Sequence, residues 1–176
     1  GDILVDNLHD NTMYGNCFGS GFTNIQKTRD GWITQFSTMD TVRHENRLPN
    51  SPLHLNPGNP NTVYFGAANL FRSYHGLDTA FALERIYIPQ GCDTANQNPM
   101  SAFCIAASDT NRIYVVDFGL DDWEHKHLFH RSSDHGNTWK NLTDSVVISQ
   151  VKIFENYKVS DIIVSPKIKN TIWMTL

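Results

Sequence analysis

A four-residue phrase, in which asparagine is followed by threonine, an apolar residue and an aromatic residue, occurs four times along the chain. The copies are Asn11-Thr12-Met13-Tyr14, Asn61-Thr62-Val63-Tyr64, Asn111-Arg112-Ile113-Tyr114 and Asn170-Thr171-Ile172-Trp173, the third with arginine in place of threonine. Successive asparagines are 50, 50 and 59 residues apart. Such recurrence is typical of repeat proteins, in which one unit cannot bury its apolar faces without neighbouring units.

A second pattern, Ser-x-Asp-x-Gly-x-Thr-Trp, fills residues 132–139 and predicts a tight turn between two strands. Ser132 and Asp134 have short side chains that can accept hydrogen bonds from the turn backbone, and Gly136 can take the positive φ of a tight reversal. Thr138 and Trp139 suit the start of the next strand, with the indole free to pack on a neighbouring sheet. Alternating residues on both sides of the pattern support a hairpin corner.

Two degenerate copies of this pattern occur earlier in the chain. Residues 28–34 keep Thr28, Asp30 and Thr34, and residues 73–79 keep Ser73 and Thr79. From the first residue of each copy to the next asparagine of the first phrase there are 33, 38 and 38 residues. Two unrelated phrases held in step in this way predict one structural unit that is repeated.

The pattern at 132–139 resembles the Asp box, the repeat signature of sialidase-type β-propellers, of sortilin-type receptor propellers and of several glycoside hydrolases. All defined positions of the box match: Ser132, Asp134, Gly136, Thr138 and Trp139. The resemblance implies an Asp-box β-propeller that is secreted or exposed at the cell surface. In that family the box shapes a turn far from the ligand face, so the match implies fold more strongly than function.

We therefore predict an all-β chain of about three and a half four-stranded propeller blades. The expected blades are about residues 1–40, 51–88 and 100–145, with the start of a fourth at 159–176. Strands are expected over residues 12–17 in the first blade and 62–66 in the second. In the third, residues 117–125 are expected to form an insertion, residues 139–143 the outer strand, and residues 144–158 the connector onward. The competing fold is a β-sandwich, whose strands also recur with regular turn signals but do not repeat a phrase in register. No segment keeps the 3.6-residue apolar spacing of a long helix.

Three and a half blades cannot close a ring, because propellers have about 4 to 8 blades. We expect the chain to be a fragment of a larger propeller, with the remaining blades or a second chain as its partner. Ile3 and Trp173 should then lie on uncovered apolar flanks of the terminal sheets.

The charge balance excludes some partners. With 14 basic and 18 acidic residues, the net charge is −4 without a basic run, which argues against a nucleic-acid partner. No apolar run is long enough to span a membrane. Aromatic residues in expected loops, Tyr74, Trp123 and Tyr157, are candidates for contacting a carbohydrate or protein surface.

Cofactors are not expected. His125 and His127 would share one face of a strand and are weak candidates for holding Zn²⁺ or Cu²⁺, and a solvated hairpin rim is the favoured explanation of the two histidines. The three cysteines are odd in number. Cys17 and Cys104 fit core thiols, and Cys92 lies in a loop from which it could reach Cys104.

Catalytic residues are not identified. A glycoside hydrolase needs two acids facing each other across the sugar, and the candidates are Asp2, Asp30, Asp121 and Asp161. Asp2 and Asp161 occupy equivalent positions in the repeat and Asp30 belongs to a turn, which favours structural roles for these three. Two function classes remain open. The first is a non-catalytic extracellular recognition or scaffold module; the second is part of a glycoside hydrolase whose catalytic acids lie partly outside this segment.

Overall fold

The computed structural model describes twelve stretches of the chain. They are residues 3–6, 8–9, 11–19, 22–31, 36–38, 52–77, 83–88, 100–118, 127–145, 147–148, 151–152 and 159–176. Apart from one turn of 3₁₀ helix at Thr143–Ser145, the regular structure of these stretches is entirely β-strand. The all-β prediction is confirmed.

Twelve of the strands form three antiparallel four-stranded sheets in which sequence neighbours pair. The first sheet contains β1 (Ile3–Val5), β2 (Met13–Gly19), β3 (Phe22–Thr28) and β4 (Phe36–Thr38). The second contains β5 (Leu53–Asn56), β6 (Asn59–Gly66), β7 (Leu70–Ser73) and β8 (Glu84–Tyr87). The third contains β9 (Met100–Ile105), β10 (Ile113–Phe118), β11 (His127–Ser132) and β12 (Lys140–Asn141).

Two further pairs follow. Strands β13 (Val147–Ile148) and β14 (Val151–Lys152) form a short hairpin, and β15 (Asp161–Val164) pairs with β16 (Ile172–Thr175). The first strands of successive sheets are neighbours, because β1 contacts β5, β5 contacts β9, and β9 contacts β15. Sheets that meet through their first strands in chain order are arranged as the blades of a propeller are.

Packing between sheets explains why the middle sheets are apolar on both faces. Val63 and Phe65 pack towards the first sheet, in a cluster with Tyr14 and Ile25. Tyr64, between them, points the other way because strand residues alternate, and it packs with residues of the third sheet such as Phe103. A further cluster joins the third sheet to β15. Burial on both faces gives the near-continuous apolar runs seen in β6 and β10.

The outer faces of the end sheets are exposed. Ile3 and Val5 of β1 are 67% and 63% exposed, and the cross-strand pair Ile163 and Trp173 is 56% and 55% exposed. These are the flanks that the repeat count predicts. Exposed apolar strand faces of this kind favour association with another sheet.

The structure corrects three local expectations. Asp117 was expected to open an insertion, but it is a fully buried residue of β10 paired with Leu128. The outer strand expected over 139–143 is confined to Lys140–Asn141, because the chain turns into the 3₁₀ helix at Thr143. The connector expected over 144–158 contains the β13–β14 hairpin.

Candidate functional site

The turn at residues 132–139 is held by its own side chains. The Ser132 hydroxyl accepts hydrogen bonds from the N–H groups of Asp134 at 3.2 Å and Gly136 at 2.7 Å, and it donates to Asp134 Oδ1 at 2.7 Å. The Asp134 carboxylate accepts from the Thr138 N–H at 2.8 Å and from the Thr138 hydroxyl at 2.6 Å. These bonds, led by the Thr138 hydroxyl, hold the pKa of Asp134 at about 2.

The two earlier turns share part of this geometry. His135 and Gly136 have φ values of 60° and 94°, and Gly76 and Leu77, at the matching positions of the second turn, have 56° and 62°. In the first turn the Thr28 hydroxyl donates to Asp30 Oδ1 at 2.8 Å, as Ser132 does to Asp134. The predicted positions Thr34 and Thr79 lie outside the described residues.

The third-sheet turn packs against the last strand of the second sheet. The Trp139 indole N–H donates to the backbone oxygens of Ile86 at 2.9 Å and Gly136 at 3.0 Å. A Cβ at Gly136 would stand 2.7 Å from Ile86 Cδ1, so glycine permits this close approach. The turn therefore fixes Trp139 beside β8.

Arg72 of β7 also links the second sheet to the third-sheet turn. Its guanidinium donates to the His135 backbone oxygen and to Glu84 Oε2, the latter at 2.8 Å. It also lies 4.5 Å from the ring centre of Tyr74, a predicted binding-loop residue that is half exposed. Tyr74 thus covers a structural arginine, and its role as a ligand contact stays a prediction.

An open cavity of about 340 Å³ lies between the second and third sheets, and we call it the rim cavity. Its lining is residues 85–88 of β8 and the strand end that follows, with His130 of β11, Trp139, and Asn141 of β12. Aromatic and aliphatic surface with a few convergent polar groups is the usual lining of a ligand site. The volume is at the lower end of the roughly 300–1,000 Å³ range of such sites.

Two lining residues of the rim cavity, Tyr87 and His130, belong to a buried hydrogen-bonded group that also includes Asp117. The Tyr87 hydroxyl lies 2.5 Å from Asp117 Oδ2 and 2.8 Å from His130 Nδ1. All three side chains are buried, and Asp117 Oδ1 has no hydrogen-bond partner among the described residues. Three strands from two sheets are needed to bring these groups together.

Burial sets the protonation states of Asp117 and His130. It raises the pKa of Asp117 to about 7, although the hydrogen bond from Tyr87 limits the rise, and it lowers the pKa of His130. Near neutral pH the histidine is therefore uncharged. The Asp117 carboxyl is protonated and uncharged at most pH values below about 7.

Charge at the mouth of the rim cavity comes from Arg85, which is exposed and forms no ion pair with another described residue. Arg131 and Lys140 occupy the next cross-strand pair to His130 and Asn141, so they project from the opposite face of the third sheet. The nearby Glu84 is paired with Arg72. Of the cations in the described part of the chain, Arg85 is thus the one that an occupant of the cavity would meet.

A second cavity, of about 370 Å³, lies between the first and second sheets. Lys27 and Arg29 line it with Asp6 and His9, which are joined by a hydrogen bond of 2.7 Å. Burial opposes the ionisation of Asp6, but hydrogen bonds from Leu8 and His9 outweigh it and lower the pKa of this carboxyl. Lys27 lies 5.3 Å from the ring centre of Tyr14. Asp6, His9 and Lys27 are thus each in contact with another residue of the first blade.

Several predicted site residues cannot be compared with the structure. Trp123, Tyr157, His125 and Cys92 lie outside the described residues, and the side chains of His127 and Cys17 do so as well. Among the residues that are described, no group of three histidine, cysteine or acidic side chains is arranged to hold a metal ion. Cys104 is a free, half-buried thiol whose pKa is raised by burial, as expected of a core thiol.

No sequence pattern predicted the hydrogen-bonded group of Tyr87, Asp117 and His130. The only local signals are an acid that directly follows the apolar run 113–116 and a histidine within an alternating strand. Within the described ranges, none of the helical structure is both long and apolar enough to span a bilayer.

Comparison with solved structures shows that the fold is similar to that of part of several GH74 enzymes, which are β-propeller glycoside hydrolases. Three solved structures are similar over 98% of this chain. They are an ancestral GH74 enzyme (TM-score 0.65, 16% identity), the GH74 xyloglucanase of Xanthomonas campestris (0.70, 12%) and the GH74 enzyme of Niastella koreensis (0.62, 19%). No protein-family model matches the sequence, and no curated protein matches it at a significant level.

The chain spans 21%, 26% and 27% of the lengths of these three proteins. At identities this low the likeness concerns the fold alone. It agrees with the sheet order, the neighbouring first strands and the exposed end faces, all of which are features of part of a β-propeller.

Proposed function

We propose that this chain is a carbohydrate-recognising segment of a propeller protein of the glycoside hydrolase type, and that it contributes binding and support rather than bond cleavage. The observation that carries the proposal is the rim cavity. There an indole, a guanidinium, a carboxamide and an imidazole line a space large enough for a sugar ring. Sugars offer both apolar ring faces and hydroxyl groups, which suit this mixture of aromatic and polar surface.

The acids of the described residues favour binding over catalysis. Six of them are held by structural contacts: Asp6 by His9, Asp30 by Thr28, Glu84 by Arg72, Asp109 by Lys169, Asp117 by Tyr87 and Asp134 by Thr138. Cleavage of a glycosidic bond needs one acid to donate a proton and a second to act as base or nucleophile. In the proposed protein these groups come from elsewhere in the propeller.

The turns at 28–31, 73–77 and 132–139 are proposed to be Asp boxes. The support is the hydroxyl-to-aspartate hydrogen bond shared by the first and third turns, and the paired positive φ values shared by the second and third. Their proposed role is structural. Secretion or display at the cell surface belongs to the same proposal and rests on the resemblance to Asp-box proteins.

Further blades of the same protein are the proposed partner of the exposed end faces. One further blade would cover the apolar face of Ile3 and Val5 at one end, and another would cover that of Ile163 and Trp173 at the other. The similarity of this chain to about a quarter of each longer propeller protein supports that arrangement.

The test is binding of the 176-residue chain to polysaccharides, measured by affinity electrophoresis and calorimetry. Xyloglucan is the first substrate to try, because one structural neighbour is a xyloglucanase. Binding should weaken when the cavity is altered by Arg85→Gln or Asn141→Ala. Lys140→Ala, on the other face of the same strand as Asn141, should leave it unchanged.

Two results would contradict the proposal. One is the absence of binding to every polysaccharide tried, and the other is binding that the cavity variants do not alter. Release of reducing sugar ends by the chain alone would instead favour the hydrolase alternative.

A further inference from the structure

The Tyr87 hydroxyl has one proton and two hydrogen-bond partners, Asp117 and His130. It can therefore donate to one of them only, and this choice sets the order in which the three residues donate and accept. That proton can be donated to Asp117 Oδ2 or to His130 Nδ1, and the remaining neighbour must then donate to the tyrosine oxygen. Two hydrogen bonds are made in either order. The two orders differ in what they present to the cavity.

When Asp117 is protonated, its proton is best placed on Oδ2, where the Tyr87 oxygen can accept it. On Oδ1 it would have no partner. Tyr87 then donates to His130 Nδ1, so a neutral His130 carries its own proton on Nε2. Because Nδ1 is occupied, Nε2 is the ring nitrogen left for an occupant of the cavity, and in this order it is a hydrogen-bond donor.

When Asp117 is ionised, Tyr87 donates to the carboxylate, and His130 must donate from Nδ1 to keep its bond to the tyrosine oxygen. A neutral His130 then has a lone pair on Nε2. Ionisation of a buried aspartate therefore converts His130 Nε2 from a donor to an acceptor.

In the arrangement in which His130 Nε2 is a hydrogen-bond donor, that N–H can act together with the positive charge of Arg85. A guanidinium and an N–H donor at one cavity together suit an anionic group with two oxygens, which guanidinium groups bind in a bidentate manner. Within the described ranges, the other charged groups near the site are paired or face away: Glu84 bonds to Arg72, Asp134 to Thr138, and Arg131 and Lys140 lie on the opposite face.

We propose that the rim cavity binds a carboxylate-bearing sugar ring, such as a uronic acid unit, through Arg85 and the Nε2–H of His130, and that Asp117 and Tyr87 keep that N–H in place. The inference rests on the proposed function and narrows it from carbohydrate in general to an acidic sugar. Trp139 and Ile88 supply the apolar walls for the ring. Asp117 and Tyr87 are positioning residues that do not touch the ligand.

The direct test is calorimetric titration of the 176-residue chain with methyl glucuronide, and with methyl glucoside as the neutral counterpart, between pH 5.5 and 8.5. A uronate remains ionised over this range, since carboxyl groups of this kind titrate near pH 3 to 4. The glucuronide should bind at least about tenfold more tightly than the glucoside at pH 5.5. Its affinity should fall as the pH rises past 7.

Variants separate positioning from a merely structural role. Asp117→Asn supplies an amide N–H that donates to Tyr87 at every pH, so this variant should keep the low-pH affinity up to pH 8.5. Tyr87→Phe retains the ring but removes the link, so its affinity should be lower and lose the step near pH 7. Arg85→Gln should reduce glucuronide binding about tenfold or more, whereas Lys140→Ala should not change it.

The outcomes distinguish this inference from the broader proposal. Equal binding of the two glycosides, or a pH profile that Asp117→Asn leaves unaltered, would overturn the acidic-sugar site. If neutral xyloglucan binds at the cavity while the glucuronide does not, the proposed function stands and this inference fails. Circular dichroism of each variant establishes that a loss of binding is not a loss of fold.

Discussion

The backbone oxygen of Asn111 accepts a hydrogen bond of 2.9 Å from the N–H of His135, which joins the asparagine phrase to the serine–aspartate turn of the same sheet. The second sheet repeats the contact, with Asn61 accepting from Gly76 at 2.6 Å. In each sheet the bond ties the start of the second strand to the turn after the third. The two phrases are kept in step because each completes the hydrogen bonding of the other.

Gly136→Ala should destabilise the fold more than Gly31→Ala. Both glycines have positive φ, 94° and 69°, so each variant should lose about 1–2 kcal/mol of unfolding free energy from backbone strain. A methyl at Gly31 meets nothing within 4 Å, whereas at Gly136 it would press on Ile86 at 2.7 Å and add a further ~1–3 kcal/mol. Urea unfolding measures the difference, and equal losses would show that the turn does not pack on β8 as described.

Asp134 should make stability depend on pH in the acidic range. Its folded pKa is held at about 2, below the ordinary value of 3.8, so the folded state binds fewer protons than the unfolded chain between these values. The stabilisation is present above about pH 4 and is lost as the pH falls through 2. Asp134→Ala should remove this component of the acid dependence. The control Ser133→Ala should retain it, because Ser133 is exposed and is not one of the residues whose hydrogen bonds hold the turn.

Asp117 should act with the opposite sign. Its folded pKa is raised to about 7, so its contribution to stability is greatest below pH 4 and is lost as the pH rises through 7. The change is on the order of 4 kcal/mol for a shift of this size. Asp117→Asn cannot ionise, so its unfolding free energy should change less between pH 4 and 7 than that of the wild type. An identical slope in both proteins would mean that Asp117 is not buried in its neutral form.

The strand pattern could be predicted because its causes are local. Alternation, turn residues and the two repeated phrases indicate strands such as β2 and β6 within a few residues of their observed bounds. The exposed flanks at Ile3 and Trp173 follow from counting the repeats. Each of these inferences needs only residues that are close together in the sequence.

The rim cavity could not be predicted, because it depends on how two sheets pack. Tyr87 is 30 residues from Asp117 and 43 from His130, and no spacing rule links them. Asp117 was expected to begin an insertion directly after the apolar run 113–116. In the structure the strand continues, since protonation and the Tyr87 hydroxyl offset the cost of burying the acid.

Trp173→Lys should reduce self-association of the 176-residue chain. Trp173 and Ile163 form an exposed cross-strand pair on the outer face of β15–β16, and an uncovered apolar strand face promotes contact with a second copy. A lysine there adds charge that opposes burial in such a contact. Sedimentation velocity over a concentration series should show larger species for the wild type than for the variant.

The matched control for this experiment is Ile168→Lys, because Ile168 is about as exposed but lies in the turn between β15 and β16 rather than on their outer face. It should sediment as the wild type does. If both lysine variants reduce association equally, general charge rather than the sheet face is responsible. If the wild type is monomeric at every concentration, the end face needs no cover, and the proposal that further blades pack there loses its physical basis.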